Sequence, residues 1–243
     1  MQIIKLDAID STNLYLKNML FNSSLTDFTV VVANEQSKGR GQMGTTWESE
    51  KGKNLTFSVL KRCDSLLVQQ QFLLNIGVSL AVYDTLKEFQ LPDLKIKWPN
   101  DILSGNNKIC GILIENILSG SKIQASIIGI GLNVNQLDFG SLPNVSSLKL
   151  ILGIQLDLNE ILIKILENLK KIFDQLLKGN EDSLKASYLN TLFRKDKPST
   201  FKNQLNEMFT GIIRNVSNEG KLIVEIEDKV LMSFDLKQVK LLY

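Results

Sequence analysis

The sequence predicts an α+β fold: a mixed, mostly antiparallel sheet with helices on one face, followed by a small C-terminal β-barrel. Three observations predict it. Helix-period and strand-period segments alternate, but two neighbouring strands read as a hairpin and not as a βαβ unit. One long segment, 158–178, carries a full set of helix start and stop signals. Beyond about residue 193 only short strands and turns remain.

The elements follow in order. A short helix over 12–20 starts after Asp10-Ser11, a good N-cap pair. Strands read at 28–33 and 55–60. A more buried helix runs over 69–88, with Phe72, Leu73, Ile76, Leu80 and Tyr83 on its apolar side. A strand follows at 94–97. Strands 109–115 and 122–133 are joined through Asn116–Ser121, whose Ser-Gly-Ser ending predicts a hairpin. In the 158–178 helix, Leu158, Ile161, Leu162, Ile165, Leu169, Ile172, Phe173 and Leu176 recur at helical spacing. Asp157 is its N-cap, Glu160 completes the cap, and Gly179 ends it. After about residue 193 the texture changes: the segment Arg194–Thr200 is polar and contains Pro198. Strands then read at 208–214, 221–227 and 230–234, with turns at 217–220 and 227–229. The chain divides into residues 1–194 and 195–243.

Composition removes whole classes of function. Among 243 residues there is no histidine. Ser-His-Asp and Cys-His catalysis and His-based zinc sites are excluded. Chemistry must rest on Lys, Arg, carboxylates, amides and backbone dipoles. With 28 Lys+Arg against 26 Asp+Glu the net charge is +2, too mild for a nucleic-acid footprint, so no DNA partner is expected. Asp7 and Asp10 interrupt the first apolar segment, so it is not a signal peptide. No apolar run approaches membrane-spanning length, and no membrane association is expected. Cys63 and Cys110 are few and unpatterned, which points to a reducing cytoplasm.

Two motifs mislead. Gly39-Arg40-Gly41-Gln42-Met43-Gly44 spells G-x-G-x-x-G, but a loop and a strand follow it where a dinucleotide site needs a helix. Asp138-Phe139-Gly140 spells DFG, yet a kinase catalytic loop needs a histidine and an Arg-Asp pair between these motifs.

Four other segments form a set: Asp10-Ser11-Thr12-Asn13; Glu35-Gln36, then Gly39-Arg40-Gly41, Gly44 and Trp47; Lys97-Trp98-Pro99-Asn100-Asp101 followed by Lys108 and Gly111-Ile112-Leu113-Ile114-Glu115; and Gly129-Ile130-Gly131-Leu132-Asn133-Val134-Asn135. In this order and spacing the chain resembles the biotin protein ligases, over nearly its whole length. The resemblance implies a class II synthetase-like, biotin ligase-type sheet ending in an SH3-like barrel. It implies an ATP-dependent ligase that makes biotinyl-5′-AMP from biotin and Mg²⁺-ATP. The biotin then passes to a lysine of a biotin carboxyl carrier protein or domain, such as that of acetyl-CoA carboxylase.

Each segment also has a reading from its own chemistry. Glycine-rich loops let backbone N–H groups approach an anion, so Gly39–Gly44 suits a flap over a phosphate; alone it reads equally as a hairpin loop. Ser11 and Thr12 read as a helix N-cap. The resemblance adds that they hold the ureido ring of biotin, with Gln36, Gly39 and Arg40 nearby. A cyclic urea needs donors at its oxygen and acceptors at its N–H groups, which hydroxyls and an amide supply. Lys108 precedes an apolar strand, where a lysine is usually solvated. By resemblance it binds the biotin carboxylate and the α-phosphate. A cation about 4 Å away offsets their repulsion by roughly 4 kcal/mol at an effective dielectric near 20.

Strict alternation sets Lys108 and Gly111 on opposite faces, so their joint use requires a bulge or a later strand start. Gly111, Gly129 and Gly131 leave room for a flat ligand against the sheet, with Leu113 along its tail. Asn133 has an amide suited to an adenine edge, as the resemblance implies, and the resemblance sets Asn100 and Gln42 at the ATP side. Trp47 either packs near the adenine or closes the loop. Asp101 pairs with Lys97, or contacts magnesium or the acceptor lysine; it is the only base to nominate for the second step. The candidate catalytic residues are Lys108, Arg40 and Asp101.

The chain also departs from the family. Many relatives have arginines where Gln42 and Thr45 stand, which implies a looser hold on the adenylate. Lys237–Tyr243 contains no arginine to carry over. The Ser-Thr-Asn motif starts at residue 11, leaving no room for the DNA-binding domain of some relatives, so a ligase without a repressor is expected. A lipoate or octanoate transferase of the same fold is the near alternative, but those carry a histidine motif. A non-catalytic biotin- or nucleotide-binding regulator is the other. An exposed sheet edge could pair with a second copy as a homodimer or with the carrier domain.

Overall fold

The computed structural model describes residues 1–63 and 66–243. The chain runs β1 (Ile3–Ile9), α1 (Thr12–Asn22), β2 (Val30–Gln36), β3 (Leu55–Arg62), α2 (Phe72–Lys87), β4 (Leu94–Lys97), β5 (Asp101–Ser104), β6 (Asn107–Ser119) and β7 (Lys122–Leu132). Then come α3 (Leu148–Leu152), α4 (Leu158–Leu177), α5 (Glu181–Thr191), β8 (Pro198–Asn203), β9 (Met208–Val216), β10 (Leu222–Glu225), β11 (Leu231–Phe234) and β12 (Val239–Leu242).

The first seven strands form one sheet in the order β1-β2-β3-β7-β6-β5-β4. Only β1 and β2 pair in parallel, and α1 is the crossover between them. The expected β6–β7 hairpin is present, with Gly111 opposite Gly131 and Leu113 opposite Gly129. Two strands escape a reading by period. β1 is a half-exposed edge strand with no clean alternation. β5 has four residues and begins at Asp101, where the sequence reads as a turn.

Alternating side chains separate two cores. Val30, Phe57, Val59, Ile128 and Ile130 face α2 and α4. Val31, Leu60 and Ile127 face the other way, onto Leu16 of α1. The one-face arrangement therefore holds for α2, α4 and α5, while α1 covers a patch of the opposite face. α2 is sandwiched, with most of its residues buried. Gly77 lets α4 approach closely, since a Cβ there would meet Ile172 Cγ2 at 2.9 Å. α4 begins as expected, with Asp157 accepting from the N–H groups of Asn159 and Glu160. The unexpected α5 is mostly polar and buries only Leu184 and Tyr188, an i, i+4 pair too sparse for a periodic signal.

The last five strands form a second, fully antiparallel sheet in the order β11-β10-β9-β8-β12. Pro198 opens β8, a strand that the sequence reading lacked, at a position that needs no N–H. β12 was also not expected. Phe209 stacks on both Phe201 and Phe234, so strands far apart in the order share one interior. Leu192 bridges to Ile96 of β4, and three residues later Lys195 bridges to Ile213 of β9. Phe201, Ile213, Leu222 and Val224 join the same hydrophobic core as α2 and α4. Among the described residues no helix is long and apolar enough to cross a membrane.

Candidate active site

β6 and β7 supply the floor of a cavity of about 460 Å³. The register of β6 against β5 jumps: Ile102 faces Cys110, but Leu103 faces Lys108. Ile109 is therefore a bulged residue, the device that the Lys108–Gly111 conflict demanded. Lys108 now lies over its neighbour, with its Cε and Nζ 3.2 Å from the place a Gly111 Cβ would take. The bulge is held from behind. Lys108 N–H donates to Asn144 O, Ser146 N–H donates to Lys108 O, and Asn133 N–H donates to Ile109 O.

Lys108 Nζ stands 2.7 Å from Asp101 Oδ1, and Lys97 Nζ is 3.8 Å from Asp101 Oδ2. β4–β5 and β5–β6 pairing sets Lys97, Asp101 and Gly111 in one row. Burial pulls the Lys97 ammonium below its ordinary value; Asp101 opposes this and Lys108 adds to it. The Tyr243 ring lies 5.0 Å from Lys97 Nζ. Both Asp101 oxygens thus face ammonium groups. That is the place of a counter-ion, and it does not fit a magnesium ligand. Among the described residues no cluster of three or more Cys, Asp or Glu could hold a metal.

Two residues away along the floor, about 7 Å at 3.3–3.4 Å per residue, the chemistry is neutral. Ser11 is the N-cap residue of α1, but its side chain makes no cap bond; it is buried and lines the cavity. Gln36 serves as the cap instead, its Oε1 accepting from Thr12 N at 2.8 Å and Thr12 Oγ1 at 3.0 Å. Ser58 Oγ lies 2.7 Å from Thr12 Oγ1 and 2.6 Å from Asn13 Oδ1. Asn13 Nδ2 donates to Glu115 Oε2 at 2.8 Å, and Arg40 Nη2 is 3.3 Å from Glu115 Oε1. Gly129 makes room for this network, because a Cβ there would sit 2.4 Å from Asn13 Oδ1.

The flap is a tight hairpin. Gly41 N–H donates to Thr45 O and Trp47 N–H to Gly39 O, with Arg40 and Thr46 paired. Thr45 Oγ1 also donates to Gln42 O at 2.8 Å. The two positions that depart from arginine therefore fasten each other. Several flap N–H groups are spent internally and are not offered to a phosphate. Gly39 does not line the cavity; a Cβ there would be 2.2 Å from Trp47 O, so its role is hairpin closure. The hairpin lays the Trp47 indole on the floor, where Cβ atoms at Gly131 and Gly111 would come within 2.3 and 2.9 Å of the ring. Of the two readings for Trp47, this arrangement is loop closure. Its Nε1 is buried without a hydrogen-bond partner.

Asn133 does not line the cavity; its Nδ2 donates to Ser146 O at 3.1 Å behind the bulge, and its Oδ1 is buried without a hydrogen-bond partner. Asn100 lines the cavity, but its amide is tied to Ile112 O. The other expected residues, Gln42, Leu113 and Lys108 among them, do line it. Sequence reasoning missed the wall opposite. Ile213, Leu222, Val239 and Leu241 of the second sheet, with Leu236 from the turn between β11 and β12, line the cavity. Their strands were read only as a separate barrel. It also missed Ser58 and Glu115 as network members, although Glu115 ends a motif that it quoted.

The sequence model of the biotin/lipoate A/B protein ligase family matches residues 6–133, more than half of the chain. The chain belongs to that family. Among members of the biotin/lipoate ligase family, it is 30% identical to the bifunctional ligase/repressor BirA of Bacillus subtilis, over 95% of this chain and 72% of that protein. It is 28% identical to the biotin–[acetyl-CoA-carboxylase] ligase of Mycobacterium tuberculosis, over 91% of this chain and 82% of that one. In three dimensions it is similar to the biotin protein ligase from Aquifex aeolicus solved with biotin and ATP. That match has a TM-score of 0.80 and 26% identity, covering 99% of this chain and 98% of the other. The family's sheet, helices and five-stranded C-terminal sheet are thus the fold of this chain.

Proposed function

We propose that this protein is an ATP-dependent biotin–protein ligase. It joins biotin and ATP into biotinyl-5′-AMP and pyrophosphate, then transfers biotin to a lysine of a carboxylase biotin carrier domain. The carrying observation is the spacing on the floor. A cluster of hydroxyl and amide groups suited to a cyclic urea lies two residues from an ammonium, Lys108, held by Asp101. The ligands named for the Aquifex relative fit that pair of ends.

In the first step a biotin carboxylate oxygen attacks the α-phosphorus, and the bond to the pyrophosphate oxygen breaks. Lys108 offsets the repulsion between the two anions, and Asp101 fixes its ammonium over Gly111. Arg40 supplies a second cation from the flap. Magnesium, carried on the ATP phosphates, would neutralise charge there. In the second step the acceptor amine attacks the acyl carbon and AMP leaves, so that amine must shed a proton. Asp101 remains the nominated base, acting once Lys108 turns to the phosphate. Trp47 lies where a ligand would meet Gly111 and Gly131, so its indole must move off the floor as ligands enter. The bridges at Leu192 and Lys195 support a division of the chain at 194/195 into a catalytic part and an SH3-like part. A cytoplasmic setting fits the composition and the acceptor.

The test is biotin-dependent transfer of label from α-³²P-ATP into biotinyl-AMP. We expect product from the wild type and a loss of about 10²–10³ in rate for Lys108→Ala. No product from the wild type removes the ligase reading. Equal rates remove the role given to Lys108.

A further inference from the structure

Glu115 does not line the cavity, yet it touches both the hydroxyl–amide end and the flap arginine. One carboxylate oxygen, Oε2, accepts from Asn13 Nδ2 at 2.8 Å; the other, Oε1, lies 3.3 Å from Arg40 Nη2. Asn13 is buried and its own Oδ1 receives Ser58 Oγ, which also meets Thr12 Oγ1. Thr12 in turn meets Gln36. The flap arginine and the hydroxyl–amide end are therefore two ends of one chain of hydrogen bonds, and Glu115 is its only anion. The side chain of Arg40 is 49% exposed and that of Glu115 is 19% exposed, so the anchor is the fixed partner and the arginine the movable one. Ser58 has one proton for two acceptors. A ligand N–H or carbonyl arriving at Thr12 decides where that proton goes, and hence how Asn13 presents its amide to Glu115.

We propose that Glu115 is a positioning residue that couples occupancy of the biotin-ring end to the order of the Gly39–Trp47 flap, through Arg40. This rests on the ligase reading above. Glu115→Gln is the discriminating variant. It is isosteric and keeps an acceptor for Asn13, but removes the charge that holds Arg40.

The experiment is amide hydrogen exchange at the internally bonded Gly41 and Trp47 N–H groups, with and without biotin. It compares wild type, Glu115→Gln, Arg40→Ala and the double variant, alongside calorimetric biotin binding. Without ligand, Glu115→Gln should speed flap exchange about 2–5-fold, the scale of a partly exposed ion pair. It should add nothing in the Arg40→Ala background. Biotin should slow flap exchange in the wild type, and that slowing should be lost in Glu115→Gln while biotin still binds. Unchanged exchange in Glu115→Gln, or the same factor in both backgrounds, overturns the Arg40 link. Intact biotin-induced slowing in Glu115→Gln overturns the coupling. If the wild type binds no biotin, the ligase reading and the coupling built on it both fail, and the ligand-free cycle still decides the Arg40 link.

Discussion

Lys108 and Gln42 mark the two kinds of information a single residue carried. The lysine was legible because its chemistry is scarce: a cation placed ahead of an apolar strand, beside a glycine. Gln42 was legible as an absence of charge. The flap carries Arg40 as its one cation, and Gln42 and Thr45 are bonded to each other. Gln42→Arg should therefore slow the release of biotinyl-5′-AMP several-fold, by the roughly 1 kcal/mol that a partly exposed cation contributes. A dissociation time course on purified intermediate measures it, and slower release from the wild type sinks the idea. Asn133 was legible only in part, because an amide's type does not reveal its direction. A buried amide that fastens a bulge and one that faces a base look alike in sequence. Glu115 was quoted and passed over, because its partners Asn13 and Arg40 are 102 and 75 residues away.

At the scale of elements, signals that are local survived and signals made by assembly did not. α4 was legible from cap to terminal glycine because every one of its signals lies within its own residues. Asp157→Ala should lower stability by about 1 kcal/mol, through loss of two bonds to helix N–H groups. Thermal unfolding measures this, and the adenylation rate should not change. β1, β5 and β12 were missed because each is held by a partner strand and not by its own pattern. The bulge at Ile109 lies between these cases. Its existence followed from requiring Lys108 and Gly111 on one face, but its mechanism lies elsewhere, in the backbone of residues 144–146 that pairs with Lys108.

For the whole molecule, the two sheets are less separate than a change of texture after residue 193 implied. Trp98 Nε1 donates to Gly220 O at 2.9 Å, and Lys97 lies under the Tyr243 ring. Gly220 has φ +90°, and a Cβ there would sit 2.4 Å from Phe72 at the start of α2. Gly220→Ala should therefore cost about 1–3 kcal/mol, from the strained backbone and the forced shift of Phe72. A denaturant midpoint equal to the wild type's would contradict this. The joint was illegible in sequence because a turn glycine announces a bend but not what packs on it.

The chain has two tryptophans, and both line the same cavity, Trp47 from the flap and Trp98 from the loop before β5. The indole emission of the protein is thus a built-in optical probe of that cavity. A biotin or ATP titration can be followed on the unlabelled chain. Because Trp47 lies on the floor and Trp98 is bonded to the second sheet, Trp47→Phe and Trp98→Phe would separate flap movement from displacement of the opposite wall.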